Sequence, residues 1–186
     1  MGRIAGIRIK NYGTLKNVKM GRLLFDATEK ELTNMNAIIG QSGTGKSTLA
    51  DAFGFLADCL EKGAETACDL NNRGGYEKIV SQGAKGSIEF EIYYRETSNE
   101  PPITYELSIG IDKNDRPVVE KERLRQRRGM KDMDVPCHFY FWNMVRVLLL
   151  KETIADFAKK TIWRLVKKLM LNWQIRDNWE LLHWVN

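Results

Sequence analysis

Residues Gly40 to Ser47 read Gly-Gln-Ser-Gly-Thr-Gly-Lys-Ser, which matches the spacing G-x-x-x-x-G-K-[ST]. That spacing carries a mechanism for holding a phosphate chain. Glycines at Gly40, Gly43 and Gly45 permit tight turns. The backbone N–H groups of Gln41, Ser42 and Thr44 can then point inward with theirs at phosphate oxygens. The Lys46 ammonium can reach β- and γ-phosphates, and the Ser47 hydroxyl can ligate Mg²⁺. A helix that begins here adds its positive end. The expected ligand is Mg-ATP, bound by a Walker A loop.

Such a loop must be positioned by the elements on either side. Met35 to Ile39 is a short, mostly apolar run that predicts a buried strand entering the loop. Leu49, Ala52, Phe53, Leu56, Ala57 and Leu60 recur at helical spacing after it. Further out, Ile4 to Ile9 and Val18 to Met20 predict two strands before the loop. Gly63 to Asn72 predicts a short second helix. Three more strands are expected at Ser87–Arg95, Ile103–Asp112 and Val118–Arg125, with turns at Pro101-Pro102 and Lys113-Asn114-Asp115. In the first of these, Ile88, Phe90, Ile92 and Tyr94 alternate with Ser87, Glu89, Glu91 and Tyr93, the period of a half-buried strand.

The 186 residues suffice for one domain with a small appendage, and 43% hydrophobic content suits a globular chain. The net charge of +5 permits nucleic-acid contact without requiring it. The N-terminus carries no secretory signal, and Val145 to Leu150 is too short to span a membrane. The cysteines Cys59, Cys68 and Cys137 lack metal-ligand spacing, and a reducing cytoplasm is expected.

Composition changes near residue 129. The reading is a lobe over 1–128 and a basic, Trp-rich tail over 129–186. All five tryptophans (Trp142, Trp163, Trp173, Trp179 and Trp184) lie in the tail. Such a shift marks either a domain boundary or a reading-frame change, and a frameshift near Arg127 to Met130 is the expectation here. Tryptophan has one codon, so its neighbours constrain the shifted frame to L-A-[DN]-x-[RG]-Q-L-G-x-x-x-L-G. Sequencing the locus around codons 127 to 131 tests that expectation.

Residues 3–128 resemble the RecF/SMC/ABC-type AAA family ATPases, whose head domain is split. The resemblance is carried by Ile7 to Val18, similar to an opening "I-x-I-x-N-[FY]", and by Asn36 to Ala52, similar to "G-x-[NS]-G-x-G-K-S-x-[LI]-x-[DE]-A". It implies an α/β P-loop NTPase fold of ABC/RecF/SMC head type. The expected form is an N-terminal lobe of antiparallel strands plus the loop strand and helix, followed by a helical tail. It implies that Thr48 helps hold the α-phosphate. Tyr12 would lie near the adenine, with an exposed loop aromatic as the alternative. It also implies a dimer of heads sandwiching ATP in the intact relative, with DNA as a partner. Relatives often carry Arg where Gly13 stands, so one phosphate contact is missing here.

Other parts of the machinery are absent from the sequence. Walker B needs four apolar residues followed by Asp, and the nearest segment, Val147 to Glu152, has Lys151 there. No L-S-G-G-[QE] signature occurs, and the two histidines, His138 and His183, lie in the tail. Whether the chain is an enzyme is therefore left open. Two other readings stand beside the first. A small P-loop kinase is one, although about forty residues precede the loop here, where such kinases usually begin with it. The other is a non-enzymatic module. In it, a basic amphipathic helix (Phe157, Ile162, Leu165 and Leu169 against Lys159, Lys160, Arg164, Lys167 and Lys168) meets a membrane surface or a partner. The run Lys121, Arg123, Arg125, Arg127 and Arg128 offers either DNA contact or a solvated edge strand. Asp51 and Asp58, seven residues apart, are expected as exposed helix acids.

Overall fold

The computed structural model describes residues 2–26, 28–95, 102–126 and 138–142. Two strands open the chain, β1 (Arg3–Tyr12) and β2 (Leu15–Gly21). A long helix, α1 (Lys46–Lys62), follows the loop, and two short ones come next: α2 (Ala64–Asp69) and α3 (Tyr76–Ile79). A 3-10 turn at Leu70–Asn72 joins α2 to α3. The remaining strands are β3 (Ile88–Arg95), β4 (Ile103–Ile111), β5 (Pro117–Gln126) and β6 (His138–Trp142). They form one sheet in the order β2-β1-β3-β4-β5-β6, and every neighbouring pair is antiparallel. Strand β6 lies past residue 128, in the stretch of altered composition, and continues the sheet from β5.

The period-2 alternation sorts the sheet into two faces. Ile7, Ile9, Ile88, Phe90, Ile92, Tyr105, Leu107 and Ile109 face α1 and pack against Leu49, Ala52, Phe53, Leu56 and Leu60. Phe55 is also fully buried, with its ring centroid 5.2 Å from that of Tyr12. This layer of helix on sheet fixes where α1 begins, and hence where the loop sits. Cys59 and Cys68 are free thiols packed against the same core, and burial pushes Cys68 up to about 11. Cys137 lies outside the described residues.

The opposite face is charged. The cross-strand row Arg8, Glu91, Glu106 and Arg123 alternates in sign only in part, because two glutamates meet in the middle. Lys121, Arg123 and Arg125 all converge on the Glu106 carboxylate, at 2.7, 3.7 and 2.5 Å. These are the odd-numbered cations of the basic run. They do share a face, but their charge is partly spent on one acid. β5 is also an interior strand, flanked by β4 and β6, and not the solvated edge expected. Arg127 and Arg128 lie outside the described residues. Burial, and next the Glu106 charge, raise the pKa of Glu91. The folded state therefore holds that proton more tightly than the unfolded chain. The resulting stability is present below the ordinary glutamate value and is lost as pH rises through the raised one. Glu91→Gln is expected to melt higher than the parent at pH 7. The difference should close near the free-glutamate pKa of about 4.3 in a pH series of thermal melts.

One expected element does not form. Residues 35–39 are not a strand, and their apolar side chains face water: Met35 is 89% and Ile39 93% exposed. The reason is pairing. β1 already has β2 and β3 on its two sides, and no described strand pairs with this segment. Local bonds compete as well. Asn36 Nδ2 donates to the Thr33 carbonyl at 2.8 Å, and Thr33 Oγ1 donates to the Met35 carbonyl at 2.5 Å. The turn at Lys113-Asn114-Asp115 does form. There Asp112 Oδ1 accepts the N–H groups of Asn114 and Arg116. Pro101, the region of the amphipathic tail helix, Val147 to Glu152 and His183 lie outside the described residues.

Candidate functional site

The helix start is the centre of the site. α1 begins at Lys46, with Gly45 in the left-handed region at φ +92° and no side chain capping it. Its first helical bond runs from the Leu49 N–H to the Gly45 carbonyl at 2.9 Å. The N–H groups of Lys46, Ser47 and Thr48 therefore have no acceptor within the helix. A Ser, Thr, Asp or Asn cap would ordinarily satisfy one of them. The first turn carries no acid. Orphan donors and the helix dipole together favour an anion at this point.

The loop before the helix folds back on itself. Gln41 and Thr44 close a turn, with the Thr44 N–H and the Thr44 hydroxyl donating to the Gln41 carbonyl at 3.4 and 2.8 Å. Lys46 Nζ donates to the carbonyls of Gly40 and Gln41, at 2.8 and 2.5 Å. Its ammonium thus stands over the loop instead of extending into solvent. Gly43 takes φ +81° at the tip, in open space. Gly40, Gln41, Ser42, Gly43, Thr44 and Ser47 are exposed, while Gly45, Lys46 and Thr48 are half-buried.

The β1–β2 turn forms a wall beside the loop. Thr14 Oγ1 donates to Thr48 Oγ1 at 3.2 Å, and a Cβ on Gly45 would lie 2.9 Å from Thr14 Oγ1 and 3.2 Å from Leu15 Cδ2. From the other side, the Gly13 N–H donates to the Ile79 carbonyl at 2.6 Å, and the Ser81 N–H to the Asn11 carbonyl at 3.0 Å. The turn is thus held between α1 and the segment after α3.

Two sequence expectations change here. Tyr12 is neither an exposed aromatic nor free to stack on a base. It is 1% exposed, in contact with Phe55, and its hydroxyl donates to Asp51. Burial, then that hydrogen bond, raise its pKa. Asp58 is not the exposed helix acid expected, since its side chain is 14% exposed, whereas Asp51 keeps 43% exposure as expected. Both bind Arg73, whose guanidinium is buried between them. Nothing in the sequence around Arg73 marks it for this position, because its partners lie 22 and 15 residues away. Thr14 was equally silent on its own. Its role arises from the hairpin that lays it against Thr48.

Residues 35–135, more than half of the chain, match the family described as "AAA domain, putative AbiEii toxin, Type IV TA system". The chain belongs to this AAA family. The family supports a P-loop NTPase fold, and the loop and α1 both lie within the matched span. The β1–β2 hairpin precedes the match, yet in the fold it stands directly against the AAA domain's helix start. No curated protein and no solved structure matches the chain. Among the described residues, no helix is long and apolar enough to cross a membrane.

Proposed function

We propose that this AAA domain binds Mg-ATP at the start of α1, as the Walker A lobe of a RecF/SMC/ABC-like ATPase. The observation that carries the reading is the uncapped, acid-free helix start, with Lys46 folded over the loop that leads into it. The N–H groups of Gly43, Gly45, Lys46, Ser47 and Thr48 would take phosphate oxygens, and Lys46 would meet the β- and γ-phosphates. Gly40 and Gln41 supply the carbonyls that hold Lys46, while Ser42 and Thr44 shape the turn. Among the described residues no three His, Cys, Asp or Glu side chains come together. Mg²⁺ would therefore be held by Ser47 and by nucleotide oxygens, where it offsets phosphate charge.

Turnover is a separate matter. Water activation needs an acid to complete the Mg²⁺ site and a group to orient the nucleophile. The sequence offers neither in the expected motif. Binding without appreciable hydrolysis by the isolated chain follows from that, and head dimerisation would be the step that completes a catalytic site in an intact relative. Calorimetry of the folded chain with Mg-ATP tests the reading. Saturable heat is expected, and none at all on folded protein would end it.

A further inference from the structure

Arg73 is a charge placed where charges are costly. Its side chain is 4% exposed, and its guanidinium carbon lies 5.4 Å from the Phe55 ring centroid. Every nitrogen has an acceptor. Nε and Nη2 donate to Asp51 Oδ1 at 3.1 and 3.0 Å. Nη1 donates to Asp58 Oδ2 at 2.6 Å and to the Ala67 carbonyl at 3.0 Å. Asp51 uses its other oxygen to accept from the Tyr12 hydroxyl, and Asp58 also accepts from Asn71 Nδ2 at 3.0 Å. One cation thereby joins the end of β1, two turns of α1, and the connection that follows α2.

The placement on α1 matters. Asp51 lies one helical turn after Ser47 and three residues after Thr48, so these residues share a face. On that face Thr48 meets Thr14, and one turn further on Asp51 meets Tyr12. These are two rungs between α1 and the same hairpin turn. Arg73 secures the second rung and offsets part of its charge, since one guanidinium serves both Asp51 and Asp58. Without Arg73, the Asp51 carboxylate, about 6 Å of helix rise from Ser47, would lose the cation it pairs with and would repel a phosphate chain bound there.

We propose that Arg73 is a positioning residue for the nucleotide site: it holds α1 in rotation against the β1–β2 turn and offsets part of the Asp51 charge behind the phosphate-binding loop. The inference rests on the reading of the start of α1 as a nucleotide site. Arg73 itself touches no phosphate.

The test uses the full chain with Arg73→Met, Arg73→Lys and Arg73→Met combined with Asp51→Asn. Mg-ATP affinity is measured by calorimetry well below each melting temperature. Folded Arg73→Met is expected to bind Mg-ATP about tenfold more weakly or worse, because the helix start is no longer held against the β1–β2 turn. Arg73→Lys should lose less, because it keeps the charge without the fork. Removing the Asp51 charge in the double variant should recover part of the loss. Hydrogen exchange without nucleotide should quicken at residues 46–49 in Arg73→Met. Parental affinity with parental exchange at 46–49, and only a lowered melting temperature, would overturn the proposal and leave the nucleotide reading intact. If Arg73→Met does not fold, Asp58→Asn, which loosens one side of Arg73, is read by the same exchange. Unchanged exchange there overturns the proposal too. A parent chain that binds no Mg-ATP refutes the nucleotide reading, and the exchange arm still decides whether Arg73 anchors the helix start.

Discussion

Lys46→Ala is expected to abolish detectable Mg-ATP binding while leaving the fold in place. The side chain is half-buried, and its hydrogen bonds go to the Gly40 and Gln41 carbonyls of the exposed loop. Its removal therefore costs little stability. Its effect on a bound nucleotide is large. A triphosphate carries several negative charges, and the loop has no other cation among residues 40–48. Charge-assisted bonds from one ammonium to two phosphates contribute about 3 kcal/mol or more. A loss of that size is over a hundredfold in the dissociation constant. Calorimetry and a far-UV melt on the same sample separate the two effects. Equal affinity in variant and parent, both folded, would remove Lys46 from the site.

Gly6→Ala is expected to be the most damaging small substitution in the sheet. β1 is irregular between Ile4 and Gly6, and the Ala5 carbonyl there accepts N–H groups from both Arg22 and Leu32. This draws the chain after β2 tightly across β1. A Cβ on Gly6 would lie 1.8 Å from the Arg22 carbonyl oxygen and 2.5 Å from its carbon. Both atoms are backbone, so no rotamer relieves the clash. The hairpin must shift as a whole, at about 3 kcal/mol, which is roughly 10 °C in melting temperature for a chain of this size. A thermal melt equal to the parent's would show that the hairpin yields cheaply. Because Thr14 and Gly13 of the same hairpin flank the loop, Gly6→Ala is also expected to weaken Mg-ATP binding.

Much of the fold was legible in the chain. β1 and β3 to β5 came within a few residues of their observed bounds because alternation along a strand is a local property. α1 was equally plain, since its apolar residues recur at helical spacing and its start coincides with a glycine-rich turn. Residues 35–39 show where this reasoning stops. An apolar run becomes a strand only when a second strand pairs with it, and that requirement lies elsewhere in the fold. The charge of Lys121, Arg123 and Arg125 could be counted, but not its capture by Glu106 across β4. Tyr12 in isolation read as a loop aromatic, and Asp58 as a solvated acid.

By itself, the sequence carried the motif behind the proposed phosphate site at Gly40 to Thr48, because such a motif depends on backbone freedom and on two side chains within a few consecutive residues. Only the tertiary structure decided what stands behind the loop. Arg73 reaches Asp51 and Asp58 because α1 and the turn after α2 pack together, and Tyr12 reaches Asp51 because β1 ends beneath α1. Contacts between distant residues follow from how whole elements bury their apolar faces, and no local pattern of residue types encodes them.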